Sequence, residues 1–243
     1  MTVIKEKMST RRIEARKIAA AVGILFLLSN ATFLLGAFVF VEPVLTAPDY
    51  LTQVSAKGTQ IVLGALLEIV NGIAYIGIAV LVYPILRRRF QSLALWYVCF
   101  RVIEFVMQTL SDLSPLALLK LSQEFVSAGA QEASSFQSVG TLLLAERYWA
   151  FQMVTFALVL GAVMFYTMLY RSKLIPRFIS VWGLIGILVV FVTALLDTFG
   201  ISLGILESLG VLMLLNELFL GVWLIVKGFN PSAIPLEQPQ ATL

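Results

Sequence analysis

Six stretches of about twenty or more mostly apolar residues constrain the fold of this chain more than any other feature. A helix needs about 20 apolar residues to cross a hydrocarbon core of roughly 30 Å, and each stretch meets that length. Of the 243 residues, 60% are hydrophobic and only 13% are charged, which excludes an ordinary soluble domain. We therefore predict an all-α, polytopic membrane protein, a bundle of six transmembrane helices. The predicted spans are 18–41, 60–86, 92–110, 139–170, 178–199 and 203–226.

The chain divides into three parts on this basis. They are a basic N-terminal segment, 1–17, a single transmembrane domain, 18–227, and a flexible tail, 228–243. Basic residues before an apolar run could also mark a cleaved signal peptide. However, the first apolar run exceeds the 7 to 15 residues of a signal core, and no clear small-x-small cleavage site ends it. We therefore interpret it as a retained first helix.

Positive charge is distributed unequally between the two sides of the predicted bundle. Thirteen of the 17 Lys and Arg residues fall in segments that the six spans place on one side, while the opposite connections carry only Lys57 and Lys120. The positive-inside rule then predicts that both termini are cytoplasmic and that this face meets anionic lipid. The thirteen are Lys5, Lys7, Arg11, Arg12, Arg16, Lys17, Arg87, Arg88, Arg89, Arg171, Lys173, Arg177 and Lys227.

The third connection contains a further helical pattern. Ser114 and Pro115 are typical of a helix start, and Gly129 is typical of a helix end. We expect a short helix on the outer surface, between the third and fourth spans. It could be an amphipathic connector, or it could be a lid over whatever the bundle encloses.

Polar residues interrupt the apolar spans at similar depths. Counting 1.5 Å per residue from the predicted span ends places one group about 10 to 13 Å below the outer boundary and a second about 16 to 21 Å below it. Helical spacing also puts Arg101, Glu104 and Gln108 on one face of the third helix. The first group is Asn30, Glu68, Glu104, Glu146 and Arg147; the second is Asn71, Arg101, Asn216 and Glu217; Asp197 and Glu207 lie nearer the outer mouth.

These buried charges predict either a pocket or a packing network. A charge at the bilayer centre costs about 2.5 to 3.5 kcal/mol, so the groups must pair, hydrate in a cavity or be protonated. Two arginines, Arg101 and Arg147, cannot neutralise four deep acids. That excess of acid favours an outer-half pocket, while polar residues that only fix helix packing remain the alternative.

Several short motifs occur in order along the predicted spans. They are 16–20 entering the first helix, 100–104 in the third, 174–178 and 182–183 in the fifth, and 216–218 and 223–228 in the sixth. In these motifs the sequence resembles the bacterial membrane family known as domain of unknown function 4386. The resemblance extends over nearly the whole chain and implies a bacterial plasma-membrane location and a six-helix bundle, but no activity, substrate or established site.

Missing residue types exclude several chemistries. The chain has no histidine and one cysteine, Cys99, so it lacks zinc ligands, haem axial histidines, a histidine-based triad and di-iron pairs. No lysine lies deep in a span, which excludes a retinal Schiff base. No phosphate-binding glycine motif is present, so we expect neither nucleotide nor nucleic acid as a partner. We expect no cofactor or metal, although the acids could hold calcium or magnesium.

Three function classes remain. We favour a protein that binds or transports a small amphiphile or ion in the outer-half pocket, and a transporter of this size would need to form a homo-oligomer. An intramembrane enzyme on a lipid-like substrate, with a glutamate as general acid or base, is the second class, but no nucleophile is evident. An accessory or scaffold protein with a purely structural charge network is the third. The pocket candidates are Asn30, Glu68, Asn71, Arg101, Glu104, Gln108, Glu146, Arg147, Asn216 and Glu217, with Asp197 and Glu207 at the mouth.

Overall fold

The computed structural model describes residues 2–128, 133–201 and 210–234, with the backbone alone for 2–12, and these residues are almost entirely helical. Helix α1 (Thr2–Phe33) continues as a π-helix (Leu34–Val41) and is followed by two short helices, α2 (Glu42–Leu45) and α3 (Tyr50–Ala56). The other helices are α4 (Gly58–Ala128), α5 (Ala133–Ser172), α6 (Arg177–Thr198) and α7 (Val211–Val226), with a 3-10 turn at Pro231–Ala233.

Helix α4 is two antiparallel arms joined at Phe90. The backbone of Phe90 is non-helical, with φ −138° and ψ 56°. Contacts then pair residues before and after it in reverse order: Gln108 Nε2 donates to Glu68 Oε2 at 2.6 Å, and the Arg101 guanidinium carbon lies 4.4 Å from the centre of the Tyr75 ring. The arms, 58–89 and 91–128, therefore correspond to the second and third predicted helices.

The helices form an up-and-down ring, in which α1, the two arms of α4, α5, α6 and α7 each pack against the next and α7 closes against α1. Asn71 Nδ2 ties the first arm to α1 by donating to the Ser29 carbonyl oxygen at 2.8 Å. Helices α1 and α7 approach so closely that a Cβ atom on Gly23 would lie 2.5 Å from the carbonyl oxygen of Gly221. Only glycine fits there, and this close packing is typical of helices that associate in lipid.

One end of the bundle, which we call the basic end, contains Arg16, Arg87, Arg89, Arg171 and Arg177. Arg16 lies in the N-terminal half of α1 and donates to the carbonyl oxygens of Leu224, Ile225 and Val226, at 3.1, 2.6 and 3.0 Å. These bonds cap the C-terminus of α7. The chain after α7 packs at the same end, because Phe229 is buried. The backbone N–H of Asn230 also donates to the Leu174 carbonyl oxygen at 2.8 Å.

The described helices are long and apolar enough to cross a membrane in four places, 13–45, 58–128, 133–172 and 177–198, and α7 is a shorter apolar helix of 16 residues. The chain is therefore built as a multi-pass membrane protein. At 1.5 Å per residue, the second arm of α4 and α5 each extend roughly 55 to 60 Å, about twice the hydrocarbon thickness. Because the chain turns at the basic end, the excess length projects at the opposite end, the distal end.

The distal end corrects one prediction. The expected separate surface helix at 114–129 is instead the continuation of the second arm of α4, which stays helical through Ser114 and Pro115 to Ala128; Gly129 lies outside the described residues. Pro115 has no N–H, so the carbonyl oxygen of Ser111 loses its helical donor. Arg147 Nη1 on α5 donates to that oxygen at 3.3 Å, which compensates for the loss and lets the helix continue.

At the distal end, the C-terminal part of α4 and the N-terminal part of α5 form a pair of helices that we call the distal hairpin. Helices α2 and α3 pack against it. Their buried side chains form a hydrophobic core separate from the main core of the bundle. This second core means that the distal end is a packed extension of the bundle rather than a loose lid. The buried residues of this second core are Val41, Val44, Leu45, Leu51, Val54, Ile61 and Leu118.

Candidate functional site

Arg101 is the most deeply enclosed cation of the described chain, with 2% of its surface exposed. It lies between two aromatic rings, 4.4 Å from the centre of the Tyr75 ring and 5.5 Å from that of Tyr97. Its Nη1 atom donates to both oxygens of Glu104 one turn along the same helix, at 2.9 and 2.7 Å. The aromatic faces and the carboxylate replace the water that the guanidinium loses on burial.

Glu217 on α7 completes this central cluster. Tyr75 Oη donates to its Oε2 atom at 2.6 Å, and Asn30 Nδ2 donates to the same oxygen at 3.2 Å. No cation among the described residues forms an ion pair with Glu217, which is 4% exposed. The central cluster therefore contains two carboxylates, Glu104 and Glu217, and one guanidinium.

A second cluster surrounds Arg147 nearer the distal end. Arg147 Nη2 lies 3.1 Å from Glu42 Oε1 and 3.5 Å from Glu68 Oε1, and Nη1 lies 3.6 Å from Asp112 Oδ1. Gln108 Nε2 donates to both Glu68 Oε2 and Asp112 Oδ1, at 2.6 and 3.1 Å. One arginine thus faces three carboxylates at this distal cluster.

The two clusters lie at different heights, which corrects the prediction that Asn30, Glu68, Glu104, Glu146 and Arg147 share one depth. At 1.5 Å per residue along the helices, the central cluster is roughly 20 Å from the basic end and the distal cluster roughly 35 Å. The error arose because α5 continues as one unbroken helix beyond the membrane length. Its apolar residues at 139–145, of which Val139 and Leu142 are exposed, look in sequence like part of a span. A core of about 30 Å that begins at the basic end would place only the central cluster within the hydrocarbon.

Two adjoining cavities occupy the space between the clusters. The central cavity has a volume of about 510 Å³, and the mouth cavity about 820 Å³. They adjoin because they share six lining residues: Phe33, Phe38, Phe151, Thr155, Val190 and Gly210. Both volumes fall in the usual range for small-molecule sites, about 300 to 1,000 Å³.

The central cavity is apolar on its walls and polar on its floor. Phenylalanine, leucine and valine side chains of α1, α5, α6 and α7 form the walls, and the π-helical turn at Leu34–Val41 directs Leu34 and Phe38 into the space. π-helical turns are frequent at functional sites. The floor consists of Asn30, Asn71, Tyr75, Glu104, Gln108 and Glu217.

Most predicted site residues that the structure describes lie at these cavities or the clusters beside them, but two do not. Asn216 points toward α6, where its Nδ2 donates to the Ile179 carbonyl oxygen at 2.9 Å. Glu146 is exposed and accepts a hydrogen bond from Ser114. Glu207 lies outside the described residues. Asp197 lines the mouth cavity as expected, where it accepts hydrogen bonds from Tyr148 and Gln152.

Sequence reasoning missed two acids of the distal cluster. Asp112 extends the stripe of Arg101, Glu104 and Gln108 by one more turn, so helical spacing could have revealed it. Glu42 follows the predicted first span directly, and only the contact with Arg147 distinguishes it from an ordinary boundary residue. Within the described residues no group of three or more Asp, Glu or Cys side chains has the arrangement of a metal site.

Removing the cation at the centre provides a test of how the central cluster is stabilised. Arg101→Met leaves Glu104 buried without its charge partner and is expected to lower the free energy of unfolding by about 3 to 5 kcal/mol. The double variant Arg101→Met/Glu104→Leu should recover more than half of that loss. Unfolding in mixed detergent micelles measures both.

The control for this experiment is Lys120→Met. It breaks an exposed ion pair with Glu124, whose atoms lie 3.6 Å apart, and should leave stability unchanged. A double variant as unstable as Arg101→Met alone would show that the pair does not account for the effect.

Comparisons with known proteins give a family and no assigned activity. The family model described as domain of unknown function 4386 matches residues 21–228, which include all six helical segments of the ring and both clusters. No curated protein and no solved structure matches the chain. Because the match extends over most of the 243 residues, the chain belongs to the family called domain of unknown function 4386.

Proposed function

We propose that this protein is a six-pass membrane protein that binds a small amphiphile in the central cavity and admits it through the mouth cavity. The observation that carries the proposal is the central cavity of about 510 Å³, which has apolar walls and a polar floor, together with the adjoining mouth cavity of about 820 Å³. An amphiphile would place its apolar part against Phe33, Phe38 and Phe151 and its polar end near Glu217. Such a division of walls and floor is typical of sites that bind and orient a small ligand.

The size of the space argues against a purely structural charge network. Polar residues that only fix helix packing are expected to meet directly, because protein interiors are filled to the density of organic crystals. Here Glu104, Gln108 and Glu217 line a cavity instead of filling it. Among the described residues, no serine, threonine or cysteine side chain hydrogen-bonds to Glu104 or Glu217, so binding is favoured over catalysis.

We also propose that both termini lie in the cytoplasm and that the basic end faces anionic lipid of the plasma membrane. Arg87, Arg89, Arg171 and Arg177 at that end lie within 6 Å of aromatic rings, an arrangement suited to a lipid headgroup region. The distal hairpin of α4 and α5 would then project outside the cell. Six crossings require the sharp reversal at Phe90 to lie at the cytoplasmic face.

Occupancy of the cavity can be tested with two matched valine substitutions on α6. Val190 lines both cavities, whereas Val192, two residues along, is 37% exposed on the outer surface of the bundle. Val190→Phe should fill part of the space and reduce co-purified amphiphile at least fivefold, measured by native mass spectrometry after purification in mild detergent. Val192→Phe should retain the wild-type amount. Wild-type protein without any bound amphiphile, or equal retention in both variants, would contradict the proposal.

Orientation can be tested with two serine-to-cysteine variants in a Cys99→Ser background. Ser127 is exposed at the tip of the distal hairpin, and Ser232 is exposed at the basic end. In intact bacterial cells, a membrane-impermeant maleimide should label Ser127→Cys at once, but Ser232→Cys only after permeabilisation. The reverse labelling pattern would invert the proposed topology. If both variants were labelled in intact cells, the distal and basic ends would not lie on opposite sides of the membrane.

A further inference from the structure

Most hydrogen-bond donors of the side chains that line the central cavity are used within the protein; among the described residues, the exception is one N–H of Asn71. Asn30 Nδ2 donates to the Phe26 carbonyl oxygen at 2.8 Å and to Glu217 Oε2. Asn71 Nδ2 donates to the Ser29 carbonyl oxygen, and Tyr75 Oη to Glu217 Oε2. Because every partner of the two amide nitrogens is an acceptor, the orientation of each amide group is determined.

The other polar residues of the lining follow the same pattern. Gln108 uses Nε2 on Glu68 and Asp112, and Thr155 Oγ1 donates to the carbonyl oxygen of its own helix at Phe151, at 3.1 Å. Toward the mouth, Gln152 Nε2 donates to Asp197 and to Tyr148 Oη. The donors of these side chains therefore point into the protein rather than into the cavity.

What remains for a ligand is a set of acceptor oxygens. Among the described residues, the side-chain oxygens of Asn30, Asn71 and Gln108 accept no side-chain hydrogen bond from the protein, and neither does Glu217 Oε1. All four residues line the central cavity and are more than nine-tenths buried. Because these residues line the cavity, a ligand that displaces water from their oxygens without offering donors would leave them unsatisfied.

The charged residues around the cavities also disfavour an anionic ligand. Glu104 is paired with Arg101, but Glu217 has only the neutral donors Tyr75 and Asn30. Arg101 lines a small pocket that shares four floor residues with the central cavity, and its charge is paired with that of Glu104. At the mouth, Arg147 is surrounded by Glu42, Glu68 and Asp112, so its charge is more than offset by the acids. An anion would meet carboxylates and acceptors along the whole path.

From this arrangement, and resting on the proposed amphiphile-binding function, we infer that the ligand is a protonated primary or secondary amine with an apolar body. Its N–H groups, three in a primary and two in a secondary ammonium, donate to Glu217 Oε1 and to one or two of the amide oxygens of Asn30, Asn71 and Gln108. Its positive charge pairs with Glu217. The apolar body extends along Phe33, Phe38 and Phe151. A primary ammonium supplies three donors and a quaternary ammonium none, so the two should be distinguished.

Four probes with the same eight-carbon chain test this inference: octylamine, octyltrimethylammonium, octanol and octanoate. Binding to the full-length protein in phosphatidylcholine nanodiscs is measured by calorimetry at pH 7, with Val190→Phe nanodiscs as the reference for partitioning into lipid. Octylamine, which is protonated at this pH, should bind at least tenfold more tightly than octyltrimethylammonium or octanol. Octanoate should bind at least a hundredfold more weakly than octylamine.

Glu217→Gln tests the charged group, and Glu124→Gln is its matched control. Glu124 is an exposed carboxylate on the distal hairpin, where it pairs with Lys120. Glu217→Gln should weaken octylamine binding at least tenfold and remove its advantage over octanol, while Glu124→Gln should bind as the wild type does. The ranking of the four probes on unaltered protein decides the question if Glu217→Gln does not fold.

The outcomes separate the ligand class from the function. Octanoate binding as tightly as octylamine, or all four probes binding alike, would overturn the amine assignment while leaving an amphiphile site in place. Equal affinity for octylamine and octyltrimethylammonium would overturn the role of the N–H donors and retain that of charge. An unchanged probe ranking in Glu217→Gln would overturn the role of Glu217. Absence of binding by every probe would instead count against the proposed function itself.

Discussion

The burial of the Arg101 guanidinium between the two arms of α4 is the interaction on which the rest of the bundle centre depends. An unpaired cation in a hydrocarbon environment is costly, so Tyr75, Tyr97 and Glu104 must all face it. That requirement sets the register of the two arms after the reversal at Phe90. It also orients Tyr75 so that its hydroxyl reaches Glu217, which connects α7 to the same cluster. The floor of the central cavity follows from this one placement.

The polar character of the cavity follows from which hydrogen-bonding groups the helices use to bond one another. Amide and hydroxyl donors turn inward to carbonyl and carboxylate oxygens of neighbouring helices, and each such bond holds two helices together. The acceptors left over face the empty space between α1, α5 and α7. One set of side chains thus stabilises the bundle and also determines which ligand chemistry the cavity can satisfy. The distal cluster around Arg147 lies beside the mouth cavity, where Pro115 leaves the Ser111 carbonyl oxygen free for that arginine.

Much of this arrangement could be predicted from sequence, and the exceptions have physical causes. Apolar length predicted the helices, and helical spacing placed Arg101, Glu104 and Gln108 on one face, because both depend only on local geometry. The hairpin beyond 112 was not predicted, since a helix that leaves the membrane can remain apolar where it packs on α2 and α3. Whether a buried asparagine faces a cavity or a neighbour depends on tertiary contacts, which is why Asn71 and Asn216 look alike in sequence and differ in the structure.

We propose that the middle of the bundle holds a ligand whose polar end meets acceptor oxygens on the cavity floor. An experimental structure of the protein extracted directly into native-lipid nanodiscs, without added ligand, tests it most directly. We predict elongated density in the central cavity, with its polar end within hydrogen-bonding distance, about 3 Å, of Glu217 Oε1. Side chains of the protein itself filling that space, with their own donors satisfying Glu217 Oε1 and the Asn71 amide oxygen, would contradict the account.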